Sequence, residues 1–172
     1  HMRLRQVGLW ENSGSKGPDR CSWKRGTRSD AHVKYTFLTE VEELVLAQGV
    51  PPRNKPGNPK YLDYIYAYNR DENEAESLFV SVIEPYAGES KIESIERISV
   101  YDESGKELDK NAFAALKIAL KNGRTDTVIY CSDKDISVKA GSMSEFKGFI
   151  CVRSDESDGS VKVKTFDAVS AM

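Results

Sequence analysis

Acid/base catalysis needs titratable groups paired in one pocket, and nucleophilic catalysis needs a base within hydrogen-bond reach of the nucleophile. This chain has few residues to supply either. His1 and Met2 look like the remnant of a cleaved expression tag, which leaves His32 as the one imidazole in the rest of the chain. No Gly-x-Ser-x-Gly elbow, phosphate-cradling glycine loop or His-Glu-x-x-His pair occurs. Cys21, Cys131 and Cys151 lack the paired spacing of a zinc site, so neither a metal nor a cofactor is expected. Cys131 and Cys151 sit in apolar, strand-like runs and read as buried free thiols, although one disulfide and one free thiol would also fit three cysteines. The acidic runs Asp71-Glu72-Asn73-Glu74 and Asp155-Glu156-Ser157-Asp158 fall in turn-like stretches and read as solubilising turns.

Charge gives a second set of candidates. The net formal charge is -2, yet residues 1–60 carry 11 Lys/Arg against 6 Asp/Glu, while residues 61–172 carry 14 against 21. The basic front third, with Arg25, Arg28, His32, Lys34, Arg53 and Lys55, can attract nucleic acid, anionic lipid or an acidic polysaccharide, and it also reads as an ordinary solvated surface; the sign of the charge does not choose among them. His32 falls on the polar side of an alternating run, between Asp30 and Lys34. Tyr64, Tyr66 and Tyr68, two residues apart, read as one side of a strand. Such a stripe is ordinarily core, and if exposed it would form a sugar-stacking platform.

The elements that must position these residues are strands. At 172 residues, with 39% hydrophobic and 30% charged residues, the chain suits one globular domain, residues 3–172. No apolar run is long enough for a membrane-spanning helix. Alternation of apolar and polar residues and aromatic or β-branched content mark strands at His32–Leu38, Tyr61–Tyr68, Ser77–Ile83, Thr125–Cys131, Phe146–Val152 and Val161–Phe166, and β-branched content favours one at Ile92–Val100 despite imperfect alternation. Asn111–Lys121 holds good helix formers, but Leu116, Ile118 and Leu120 alternate with Lys117, Ala119 and Lys121. The Asn122-Gly123 pair that follows is a hairpin signal, so this run is predicted to be a strand. Gln48–Pro59, with four prolines and two glycines, predicts a long surface loop, and Glu84-Pro85-Tyr86-Ala87-Gly88 reads as a strand breaker. About ten strands, with turn signals throughout and no alternation with helices, predict an all-β protein, an antiparallel β-sandwich.

Four passages carry a family resemblance: Asp30–Tyr35, Val45–Pro52, Phe79-Val80-Ser81-Val82-Ile83-Glu84-Pro85-Tyr86, and Leu116–Asp126. In order and in kind they resemble the C-terminal β-sheet region of heparinase II/III-like polysaccharide lyases, the Phe79–Tyr86 run most tellingly. The resemblance implies a secreted or periplasmic parent enzyme in which a helical toroid precedes the β-sandwich and an acidic polysaccharide lies between them. Such enzymes cleave uronic-acid-containing chains, glycosaminoglycan- or alginate-like, by β-elimination: the uronate charge is neutralised, a base takes the C5 proton and an acid protonates the leaving oxygen. Family catalytic groups come largely from the toroid and from an early histidine-bearing stretch, and none of them matches a position here. The expected partners are therefore the polysaccharide and the toroid of the same chain, with no nucleic acid and no membrane. The expected role is structural and substrate-contacting, with no complete active site. A free-standing carbohydrate-binding or interaction module is the alternative.

Overall fold

A computed structural model describes residues 31–50, 56, 60–69 and 76–171. Arg25, Arg28, Arg53, Lys55, Cys21, the acidic run 71–74 and most of the predicted 48–59 loop lie outside the described residues. Eleven strands follow in order: β1 (Ala31–Phe37), β2 (Glu43–Gly49), β3 (Leu62–Tyr68), β4 (Ser81–Ala87), β5 (Ile92–Ile98), β6 (Tyr101–Asp102), β7 (Phe113–Leu120), β8 (Thr125–Cys131), β9 (Ser137–Ala140), β10 (Met143–Asp155) and β11 (Val161–Ala171). No helix occurs among the described residues, and all the pairings are antiparallel. The fold is thus the all-β, antiparallel sandwich class that the alternation predicts.

Three sheets share these strands. β1 pairs with β4, β2 pairs with β3, and the remaining seven strands join in the order β5-β7-β8-β10-β9-β6, with β11 on the far side of β10. β8 and β9 lie end to end along the same edge of β10, facing Ile150–Asp155 and Met143–Lys147 respectively. The residues with helical composition form β7, because a strand there can place Phe113 and Ala115 opposite Cys131 and Ile129 on the core side. The hairpin to β8 closes as Asn122-Gly123 predicts. Gly123 takes φ +86°, its N–H donates to Leu120 O, and Leu120 N–H donates to Arg124 O.

The core belongs to the large sheet. Val100, Phe113, Ala115, Ile129, Cys131, Val138, Ala140, Met143, Phe146 and Cys151 form one buried cluster. Burying a side chain such as Ile129 or Phe146 contributes roughly 1.5–3 kcal/mol relative to leaving it in water. Cys131 and Cys151 are free and buried, as their apolar context predicts.

Two local features depart from the sequence reading. Glu84 to Ala87 continue β4 rather than break it. Among the described residues β4 pairs with β1 alone, so Pro85, opposite Val33, sits on an edge strand there, where a missing N–H is tolerated. Between β10 and β11 the register shifts at Lys147/Gly148. A Cβ on Gly148, whose φ is +152°, would stand 2.6 Å from Ala168 Cα and 2.8 Å from Asp167 O, so only glycine lets the strands approach there. Asp167 itself adopts φ +48°.

Candidate functional site

The β1–β4 ribbon places His32 opposite Tyr86, Lys34 opposite Glu84 and Thr36 opposite Val82, all on one face. The sequence reading treats this as the polar, outward side. The structure turns it inward in part: Thr36 and Glu84 are buried, whereas Val33 and Ile83 of the opposite face are exposed, Ile83 by 62%. The physical reason is Glu84. Its Oε1 accepts the N–H of Lys91 at 2.7 Å and of Ile92 at 3.1 Å, and its Oε2 accepts the Ser90 hydroxyl at 2.8 Å. A strand face that carries such a carboxylate buries it together with its donors.

Burial pulls the Glu84 carboxyl upward, but the bonds from Ser90, Lys91 and Ile92 and the charge of Lys34 outweigh it and hold the group below the usual carboxylate range. With its lone pairs committed, Glu84 acts as a staple across the β4–β5 turn and is not free to move protons. Lys34 is half-buried opposite it, with its charge directed at this carboxylate. His32 is also half-buried, its ring stacked on Tyr86 with centroids 5.1 Å apart and planes at 21°. Its Nδ1 is buried without a hydrogen-bond partner. The structure therefore brings His32 and Lys34 onto one face, while the other four cationic candidates lie outside the described residues.

Other titratable groups are pinned. Arg124 holds Asp126 through a forked pair at 2.8 and 2.6 Å, and Arg153 Nε and Nη2 hold Asp155 Oδ1 at 3.0 and 2.8 Å. These arginine bonds keep both aspartates well ionised. Asp155 thus ends a strand instead of floating in a solvated turn. Burial pushes the Cys131 thiol up to about 12, which leaves it no nucleophile at neutral pH. Among the described residues no three His, Cys, Asp or Glu side chains are grouped to hold a metal.

The tyrosine stripe is the feature whose surroundings the sequence does not disclose. Register sets Leu62, Tyr64, Tyr66 and Tyr68 of β3 opposite Gly49, Ala47, Val45 and Glu43 of β2. Of the residues facing the rings only Ala47, opposite Tyr64, is small; Val45 faces Tyr66 and Glu43 faces Tyr68. Tyr64 leans over Gly49, where a Cβ would meet its ring at 2.8 Å. Tyr66 is 53% exposed, while Tyr64 and Tyr68 are half-buried. The Tyr64 and Tyr66 rings lie 6.1 Å apart and 23° from parallel, and the Tyr68 hydroxyl donates to the Glu43 carboxylate. Periodicity in β3 announces the row, but which residues of β2 face each ring is visible only once the two strands are in register.

Fold and site together define an all-β domain with a stapled ribbon, an aromatic ribbon and no assembled catalytic constellation among its described residues. Compared with protein-family models, with curated proteins and with solved structures, the chain finds no match.

Proposed function

We propose that this chain is the C-terminal β-sandwich of a polysaccharide lyase that degrades uronic-acid-containing chains by β-elimination, and that it scaffolds and contacts substrate without performing the elimination. One observation carries the reading. The Phe79–Tyr86 run, the most telling part of the family resemblance, spends Glu84 and Tyr86 on the fold: Glu84 ties β4 to β5 and Tyr86 stacks on His32. Residues used in that way support a scaffolding role for this stretch. Proton transfer then falls to a helical toroid of the parent enzyme, a secreted or periplasmic protein whose acidic polysaccharide reaches the β1–β4 face near His32 and Lys34. Arg25, Arg28, Arg53 and Lys55 are the further cations proposed to meet it. A second reading, a carbohydrate-binding module, is favoured by the exposure of Tyr66.

The test is a titration of the purified chain with heparin, heparan sulfate and alginate, following backbone amide shifts and unsaturated-uronate absorbance in the same samples. Salt-sensitive shifts on β1 and β4 with flat absorbance are expected. A steady rise in absorbance would place elimination chemistry in this chain, and an absence of shifts with all three polymers would remove the substrate-contacting role.

A further inference from the structure

Asn122 is the one asparagine of the chain that is followed by glycine. Such a pair is chemically labile, because the glycine nitrogen, unhindered by a side chain of its own, can attack the asparagine side-chain carbonyl carbon. In the hairpin between β7 and β8 that nitrogen is committed elsewhere. Gly123 N–H donates to Leu120 O at 2.9 Å, and Arg124 N–H donates to Asn122 Oδ1 at 3.1 Å. Leu120 N–H donates to Arg124 O at 2.9 Å and closes a three-residue loop that ends in a left-handed glycine, φ +86°. Asn122 and Gly123 are both exposed, so water reaches the pair while the nucleophile stays tied. The tie is anchored outside the hairpin. Lys121 N–H donates to Lys91 O at 2.9 Å, and Lys91 N–H donates in turn to Glu84 Oε1 at 2.7 Å. A run of hydrogen bonds thus leads from Glu84 through the β4–β5 turn to the hairpin tip.

We infer that Asn122 is a modification site, converted to aspartate and isoaspartate through a cyclic imide, and that the Glu84–Lys91–Lys121 run of bonds is the brake on that conversion. In the step itself the Gly123 nitrogen gives its proton to hydroxide and bonds to Asn122 Cγ. The Cγ–Nδ2 bond breaks, and the departing nitrogen takes a proton from water and leaves as ammonia. Water then opens the imide at either carbonyl, giving aspartate or, with the main chain rerouted through the side chain, isoaspartate. The attack requires Gly123 N–H to leave Leu120 O, since a nitrogen whose proton is held by a carbonyl is neither deprotonated nor free to swing toward Cγ. The rate in the folded protein is therefore the open-loop rate scaled by the fraction of time the tip stands open. Isoaspartate lengthens the main chain at residue 122 by a methylene, which no longer fits the three-residue loop, so each conversion to it opens the tip for good. The inference goes beyond the lyase reading and stands whether or not that reading does.

The purified chain is incubated at mildly alkaline pH, folded and in urea, and its peptides are followed by mass spectrometry, with isoaspartyl methyltransferase distinguishing isoaspartate from aspartate. In urea Asn122 is expected to convert ahead of Asn69 and Asn111, which precede Arg70 and Ala112. In the folded chain its conversion is expected to be slower by about tenfold or more, the range that opening of a local hydrogen-bonded loop covers. Amide hydrogen exchange at Gly123, measured at the same pH, is expected to show the same protection. Glu84→Ala, confirmed as folded, is expected to raise the folded rate several-fold and to leave the rate in urea unchanged. If that variant does not fold, Ser90→Ala, which removes only the hydroxyl bond to the same carboxylate, replaces it with a smaller rise expected. No conversion at Asn122 in urea overturns the site. Equal rates folded and in urea, or a folded rate that departs from the Gly123 protection, overturns the brake. An unchanged folded rate in the substituted chain overturns the part given to Glu84.

Discussion

The seven-stranded sheet and the β2–β3 ribbon are written in the same alternating pattern, yet one is dry and the other wet. In the sheet, Ile129, Val138, Phe146 and Cys151 are fully removed from solvent. In the ribbon, Leu46 is 66% exposed and Ile65, on the same face, 38%. Alternation shows that a strand has two faces, and the number of neighbours decides whether either of them is covered. β10 is flanked by β8 and β9 on one side and β11 on the other, whereas among the described residues β2 and β3 pair only with each other. A lone two-stranded ribbon cannot build a core of its own.

Substitutions should separate the two regions sharply. Phe146→Ala leaves a cavity in the one continuous core and is expected to cost about 3–5 kcal/mol, read as a fall in the urea midpoint. A loss as small as that of a surface substitution would show that the sheet is no drier than the ribbon. Glu84→Ala strands the Lys91 and Ile92 N–H groups and is expected to cost about 1–3 kcal/mol. Its effect also depends on pH. The folded Glu84 carboxyl sits below its ordinary value of 4.5, so its stabilisation is complete above that value and is lost as pH falls through the folded one. Urea midpoints measured down an acid series should therefore fall less steeply in Glu84→Gln than in the unsubstituted chain. Leu46→Thr, on the open ribbon, is expected to move stability by no more than about 0.5 kcal/mol. A larger loss would mean that the ribbon is covered in solution.

The same contrast explains what could be read in advance. β8 coincides with its predicted bounds, and β7 is a strand despite helical composition, because the Asn122-Gly123 turn and the Leu116, Ile118 and Leu120 alternation are local signals. β9, four residues long, and β6, only two, are too short for their local pattern to carry an assignment and are defined by their ladder partners. The stretch from Glu84 to Ala87 is misread as a breaker because proline forbids only a central strand, and edge position is a property of the sheet. Site residues follow the same rule. That His32, Lys34 and Glu84 share a face follows from two-residue spacing once β1 and β4 are known to pair. Which way that face points was decided by Ser90, Lys91 and Ile92, in the turn beyond.

A ladder of backbone bonds does not by itself resist a two-residue slide, which leaves every side chain on its original side. At Gly148 the backbone of β11 comes too close for any side chain to pass, and Asp167, next to its ladder partner Ala168, has left the extended conformation. Sliding β11 in either direction would bring a side-chain-bearing residue of β10 into that gap. The pair is therefore latched lengthwise: under load along its axis, β11 can peel away from β10 but cannot creep past it.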